Sequence, residues 1–263
     1  MAEQIVTIDR FFGGISQSDK VGLEGAFHDD SEFLNISKDP TQLSIQLAGT
    51  KVSGSTVVDL VKWIVDGSPN DTNKYFYGDT GHIYRETSGG TWSDLRTVSN
   101  SGGQGLGLHD DYLYYMQDTQ IGRYGPLSGS PAFTDDWQTG LNDTSTTNFG
   151  PILAFKEGFA VGHGNYLGWW DGATWDEDKI VLPPGFSIRS LTQVGEFIVM
   201  GAWRGGSNVT DSEEGYVFYW DGLAPTFNYF FQTDGAPNAL VNTKNNLMAV
   251  NGSSGRLYTG PEP

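Results

Sequence analysis

The chain has no cysteine among its 263 residues. Disulfides, thiolate metal sites and cysteine nucleophiles are therefore excluded. Cations are scarce: 15 Lys and Arg stand against 32 Asp and Glu, a formal net charge of −17. Phosphate contacts need clustered cations, so this balance argues against a nucleic-acid partner. It argues equally against an anionic membrane surface. No apolar run approaches the ~20 residues of a membrane-spanning helix. No span keeps a 3.6-residue apolar period, and "DSEFLNIS" (30–37) offers one helical turn at most. The opening "MAEQIVTIDRFFGG" lacks a basic stretch followed by an apolar one, which reads against a secretory signal and for folding in a cytoplasm.

What is abundant is glycine, at 36 residues, and aromatic residues, at 13%. Turns at positive φ take Gly, Asn or Asp, and aromatic side chains suit half-buried pleated faces. Composition alone thus points to an all-β chain. Five stretches then share one pattern, an aromatic-rich run, a Gly/Asp/Asn/Ser turn and a second short run. They lie at 73–87, 111–125, 158–172, 197–222 and 246–260. The second runs begin at Ile83, Ile121, Leu167, Val217 and Leu257, at spacings of 38, 46, 50 and 40 residues. Hairpin repeats of this length are the signature of β-propeller blades.

The expected architecture is a five-bladed β-propeller with four-stranded antiparallel blades. The blades span about 56–99, 100–142, 143–183, 184–234 and 235–263. The last has only three strands. "TQLSIQLAGTKVSG" (41–54) alternates apolar and polar at Leu43, Ile45 and Leu47, and an N-terminal strand drawn from it would complete the last blade and remove an open edge. Residues 1–40 then form an N-terminal arm, and 41–263 the propeller. The tail "TGPEP" carries two prolines and cannot form a central strand.

Candidate chemistry is thin. His28, His82, His109 and His163 fall at different phases of the repeat and are not expected to converge on a metal. Most carboxylates, such as Asp110–Asp111, Asp135–Asp136 and Glu213–Glu214, occur as adjacent pairs and are read as loop residues. Neighbours on a strand point to opposite faces, so such a pair is no catalytic dyad. Inner strands offer only Asp59, Glu157 and Glu196. "GGQGLG" (102–107) and "GHGNYLG" (162–168) precede no helix and read as close-packed strands and turns, not phosphate loops. No alternating-aspartate calcium loop is present. The expectation is a non-enzyme without metal or cofactor.

Aromatics are the surplus. "WDG" recurs at 170–172 and 220–222, and Trp170 and Trp220 read as wedges above tight turns or as sugar platforms. Blade four, the longest repeat, carries an insertion from Gly201 to Gly215. It holds Trp203, Arg204, Glu213 and Glu214. Loops on rigid scaffolds carry recognition, and Trp and Arg are enriched at binding hot spots. Trp203, Arg204, Glu213, Glu214, Trp170 and Trp220 are the candidate binding residues.

"FFGGISQSDKVGLEGAF" (11–27), "VVDLVKWIVDG" (57–67) and "DDYLYYMQDTQIGRYGPLSG" (110–129) resemble propeller segments of tailed-bacteriophage structural proteins. The resemblance covers most of residues 11–143 and carries no catalytic motif. It implies a virion component at the tail, a fibre or the capsid surface. The partners implied are other virion proteins, further copies of the chain, or a host surface glycan. A free carbohydrate-binding propeller lectin is the alternative. A lectin repeats its ligand residues from blade to blade, whereas the turns here differ in every repeat.

Overall fold

The computed structural model describes residues 34–36, 43–45, 61–69, 71–88, 91–98, 102–142, 149–204, 214–233, 235–243, 246–251 and 254–258. The chain divides into two compact units, Met1–Val52 and Ser53–Pro263. In the first, β1 (Leu34–Ile36) pairs antiparallel with β2 (Leu43–Ile45), with Leu34 opposite Ile45.

The second unit is built from sheets whose strands pair in chain order. Blade one comprises β3 (Val61–Asp66), β4 (Lys74–Gly78), β5 (His82–Ser88) and β6 (Thr91–Thr97). Blade two comprises β7 (Gly105–His109), β8 (Tyr112–Gln117), β9 (Gln120–Gly125) and β10 (Ala132–Thr139). Blade three comprises β11 (Ile152–Phe155), β12 (Gly158–His163), β13 (Tyr166–Trp170) and β14 (Trp175–Val181). Blade four comprises β15 (Phe186–Val194), β16 (Phe197–Arg204), β17 (Glu214–Trp220) and β18 (Tyr229–Thr233). A smaller sheet follows, with β19 (Pro237–Thr243), β20 (Asn246–Asn251) and β21 (Ser254–Tyr258). Every pairing is antiparallel. The fold is thus all-β, with four-stranded antiparallel blades in a propeller arrangement and a three-stranded fifth sheet.

The first strand of each sheet is innermost. The indole nitrogen of Trp63 on β3 donates to the Gly103 carbonyl at 3.2 Å, and the Ser190 hydroxyl on β15 donates to the Pro237 carbonyl at 2.8 Å. Between blades two and three the approach is closest. A Cβ placed on Gly105 would lie 1.6 Å from the Gly150 carbonyl oxygen. That contact explains the glycine-rich segment at 102–107, since no side chain fits between these inner strands.

Four apolar clusters fill the seams. Tyr75, Tyr77, Leu106 and Tyr115 join blades one and two. Tyr114, Met116, Phe159 and Val161 join blades two and three. Leu167, Ile180, Ile188 and Trp220 join blades three and four. Val199, Val217, Leu240 and Leu247 join blade four to the fifth sheet. Each strand buries alternate residues into one seam or the other, so aromatic density along second and third strands becomes inter-blade packing.

One expectation is corrected here. Asp135–Asp136 lies within β10, not in a loop, just as Asp176–Asp178 lies within β14. These are outermost strands, whose free edge faces water and where charge is favoured because it blocks further pairing.

Candidate functional site

The two "WDG" motifs form the same turn, between third and fourth strands. Asp171 Oδ1 accepts from the backbone amides of Ala173 at 2.8 Å and Thr174 at 2.6 Å. Asp221 Oδ1 accepts from those of Leu223 and Ala224, both at 2.8 Å. These amides hold both carboxyls below the usual aspartate range. Gly172 and Gly222 follow at φ 96° and 84°, where a Cβ would be strained. The tryptophans before them face seams. Trp220 is buried and meets Trp169 edge-on at 5.6 Å, with its indole nitrogen donating to the Ala224 carbonyl at 2.8 Å. Trp170 is half-buried and meets Trp137 edge-on at 5.2 Å.

Trp203 and Arg204 end β16, at the opposite end of the blade. Trp203 is 1% exposed. Its cross-strand partners are Ser187 and Gly215. Arg204 and Glu214 are exposed and face each other as the last pair of the β16–β17 ladder. Glu213 lies outside the described residues, as does the rest of the insertion at 205–212. The structure therefore gathers Trp203, Arg204 and Glu214 at one end of blade four. It holds Trp170 and Trp220 at the other end, in two different seams.

The Trp203 ring supports a cation that the sequence reading missed. The Arg189 guanidinium lies 4.8 Å from the Trp203 ring centroid and 4.2 Å from that of Phe149. Its Nη1 donates to Asn238 Oδ1 at 2.8 Å. Lys62, from blade one, places its ammonium 5.7 Å from the same Phe149 ring. Burial lowers the Lys62 pKa from the usual lysine value, and the Asp79 carboxylate pulls it partly back. Beside Phe149, the Gly150 amide donates to the Gln104 carbonyl at 2.8 Å, and the Gln104 side chain donates to Asp118 at 3.4 Å.

Lys62, Gln104, Phe149, Arg189 and Asn238 come one from each of the five sheets, at or just before the first strand. Lys62, Phe149, Arg189 and Asn238 are linked side chain to side chain, with two cations turned to one aromatic ring, and Gln104 joins them through its carbonyl alone. Asp79 and Asp118 sit in turns that join second to third strands, the same class of turn that the blade-four insertion replaces. A layer of this composition can hold an anionic or carbonyl-bearing group by charge and hydrogen bonding. The signal for it was present in the sequence: two of only 15 cations stand inside first strands.

His82, His109 and His163 stay apart, and His28 lies outside the described residues. His82 Nδ1 lies 2.7 Å from Asp94, and His163 Nε2 lies 3.0 Å from the Glu177 carbonyl. Buried His109 lies 5.5 Å from the Phe159 ring, tilted against it. Among the described residues no group of three or more His, Asp or Glu side chains comes together to hold a metal ion. Glu157 and Glu196 are exposed in turns, and Asp59 lies outside the described residues.

No protein-family model matches the chain, and no curated protein matches it. Among solved structures it is similar to the computationally designed Ika8 protein, with 15% identity and a TM-score of 0.51 over 76% of this chain and 59% of that one. It is similar to the WD40 β-propeller domain of Doa1, with 10% identity and a TM-score of 0.50 over 74% of this chain and 62% of that one. The chain spans less than two thirds of the length of either. At such identities the likeness carries the fold alone, and the fold it carries is the β-propeller.

Proposed function

We propose that the chain is a non-enzymatic binding and assembly module of a tailed-phage virion, working through the propeller end that carries the central layer. The carrying observation is the layer itself. Four sheets contribute linked side chains, Lys62, Phe149, Arg189 and Asn238, and the blade-two sheet joins them through the Gln104 carbonyl. A repeating lectin would present one residue type in one phase. An asymmetric layer suits a single docked group on another virion protein or a host glycan. The setting comes from the resemblance of residues 11–27, 57–67 and 110–129 to phage structural proteins. Lys62→Met combined with Arg189→Met is expected to weaken attachment to the particle or to the host surface. Immunogold labelling of particles from the native source tests the setting. Protein found only off the particles refutes it.

The same proposal includes ring closure by an N-terminal strand from residues 41–54, whose Leu43–Ile45 stretch pairs on one side with Leu34–Ile36 and would close the blade with its other edge. Five sheets have four described seams. The fifth sheet exposes Val241 and Met248, cross-strand partners on the face turned from blade four. Blade one buries a Phe76–Tyr84 stack, with centroids 4.4 Å apart, on the face turned from blade two. Two apolar faces at the ends of the sheet series call for a fifth seam. Removing residues 1–55 is expected to lower the melting temperature. An unchanged melting temperature with a monomeric product refutes closure.

A further inference from the structure

The four outermost strands differ in one respect. β6 carries Asp94 and Arg96, β10 carries Asp135 and Asp136, and β14 carries Asp176, Glu177, Asp178 and Lys179. β18, "YFFQT", carries no charge and no proline. An outer strand has unpaired amides and carbonyls along one edge, and proteins protect such edges with charge, proline or a bulge. β18 has none of these, and its pairing with β17 runs in continuous register from Tyr219↔Tyr229 to Gly215↔Thr233.

The edge is also apolar. Phe230 is 56% exposed and Tyr229 39% exposed, and Leu223, in the turn leading into the strand, is 85% exposed. The aromatic rings are held from behind. Phe230 stacks on Phe218 at 5.7 Å and meets Phe227 at 5.7 Å, while Tyr229 lies 5.2 Å from Phe197. The edge is therefore preformed, with its rings fixed by the blade. Tyr229 and Phe230 stand on opposite faces of the strand, so the unpaired edge is flanked by an exposed ring on either side.

We propose that β18 is a self-association edge, at which two copies of the chain pair antiparallel through their fourth blades. Charge selects the occupant. Each copy carries −17, so two copies repel, and they repel least when they meet on a neutral surface. The outer strands of blades two and three would set acids against acids. β18 would set no like charges opposite each other in any register. Antiparallel pairing of a strand with itself about a two-fold axis is self-complementary: every contact is made twice, and the interface closes at the dimer. This proposal does not depend on the virion setting or on the central layer.

The test is sedimentation velocity of the full chain over about a hundred-fold range of concentration, at low and high salt. The expected result is a reversible monomer–dimer equilibrium. Its dimer fraction rises with salt, because salt screens the repulsion between copies and leaves the apolar edge intact. Gln232→Lys places a charge on the exposed edge without touching the ring packing, and is expected to weaken dimerisation at least ten-fold. Phe230→Lys is expected to do the same. Thr91→Lys, exposed on β6, is expected to leave it unchanged. Circular dichroism checks that each variant folds. A wild-type chain that stays monomeric throughout overturns the proposal, as does a dimer that survives both β18 lysines.

Discussion

Trp203→Ala separates packing from recognition in blade four. Trp203 is 1% exposed, pairs across strands with Ser187 and Gly215, and carries the Arg189 guanidinium 4.8 Å from its ring. Truncating a buried Trp costs about 3–5 kcal/mol, because the cavity does not fully collapse. The loss includes a desolvated cation–π contact, itself worth about 2 kcal/mol. In a unit of this size each kcal/mol moves the melting temperature by about 2–4 °C, so a fall of roughly 6–20 °C is expected. Trp203→Phe keeps a ring beside Arg189 and should recover more than half of the loss. Arg204→Ala, at the exposed end of the same strand, should stay within about 0.5 kcal/mol of wild type. Thermal and urea denaturation followed by tryptophan fluorescence and circular dichroism give both numbers. A Trp203→Ala protein melting within about 2 °C of wild type would refute the reasoning, because it would mean that the indole contributes little packing and that Arg189 is held by other groups.

Two further outcomes follow from the geometry. Gly105→Ala drives a Cβ into the Gly150 carbonyl and should cost about 1–3 kcal/mol by forcing the inner strands apart. Gly129→Ala, whose nearest contact is Pro126 at 3.5 Å, should be near neutral, and equal urea midpoints for the two would count against the crowded centre. Asp221 is held below the usual aspartate range by the amides of Ala224 and Leu223, so its contribution is present above about pH 4 and is lost as pH falls through the lower folded-state value. Asp221→Ala should therefore lower stability at pH 7 and approach wild type in acid. A difference that stays constant with pH would show that the carboxylate charge is not the cause.

The sequence by itself determined the class of fold and most of the strand order. Hairpin periodicity is a local property: run, turn and run recur every 38–50 residues, and local patterns survive without knowledge of neighbours. The glycine-rich inner strand of blade two was legible for the same reason, as were the "WDG" turns, whose Asp and Gly act on atoms two or three residues away; the fourth strand of blade two was not, because its acidic pair reads as a loop. What a side chain does at a seam was not legible. Trp203, Trp170 and Trp220 are all aromatic residues near strand ends, and alternation says only that each lies on one face or the other. The tertiary structure decided that Trp203 is covered and braces Arg189, while Arg204 beside it is exposed. It also decided that Lys62 and Arg189, 127 positions apart in the chain, meet over one Phe149 ring. That convergence depends on the rotation between sheets and on the depth of each first strand along the axis, quantities that long-range packing sets and no single repeat encodes.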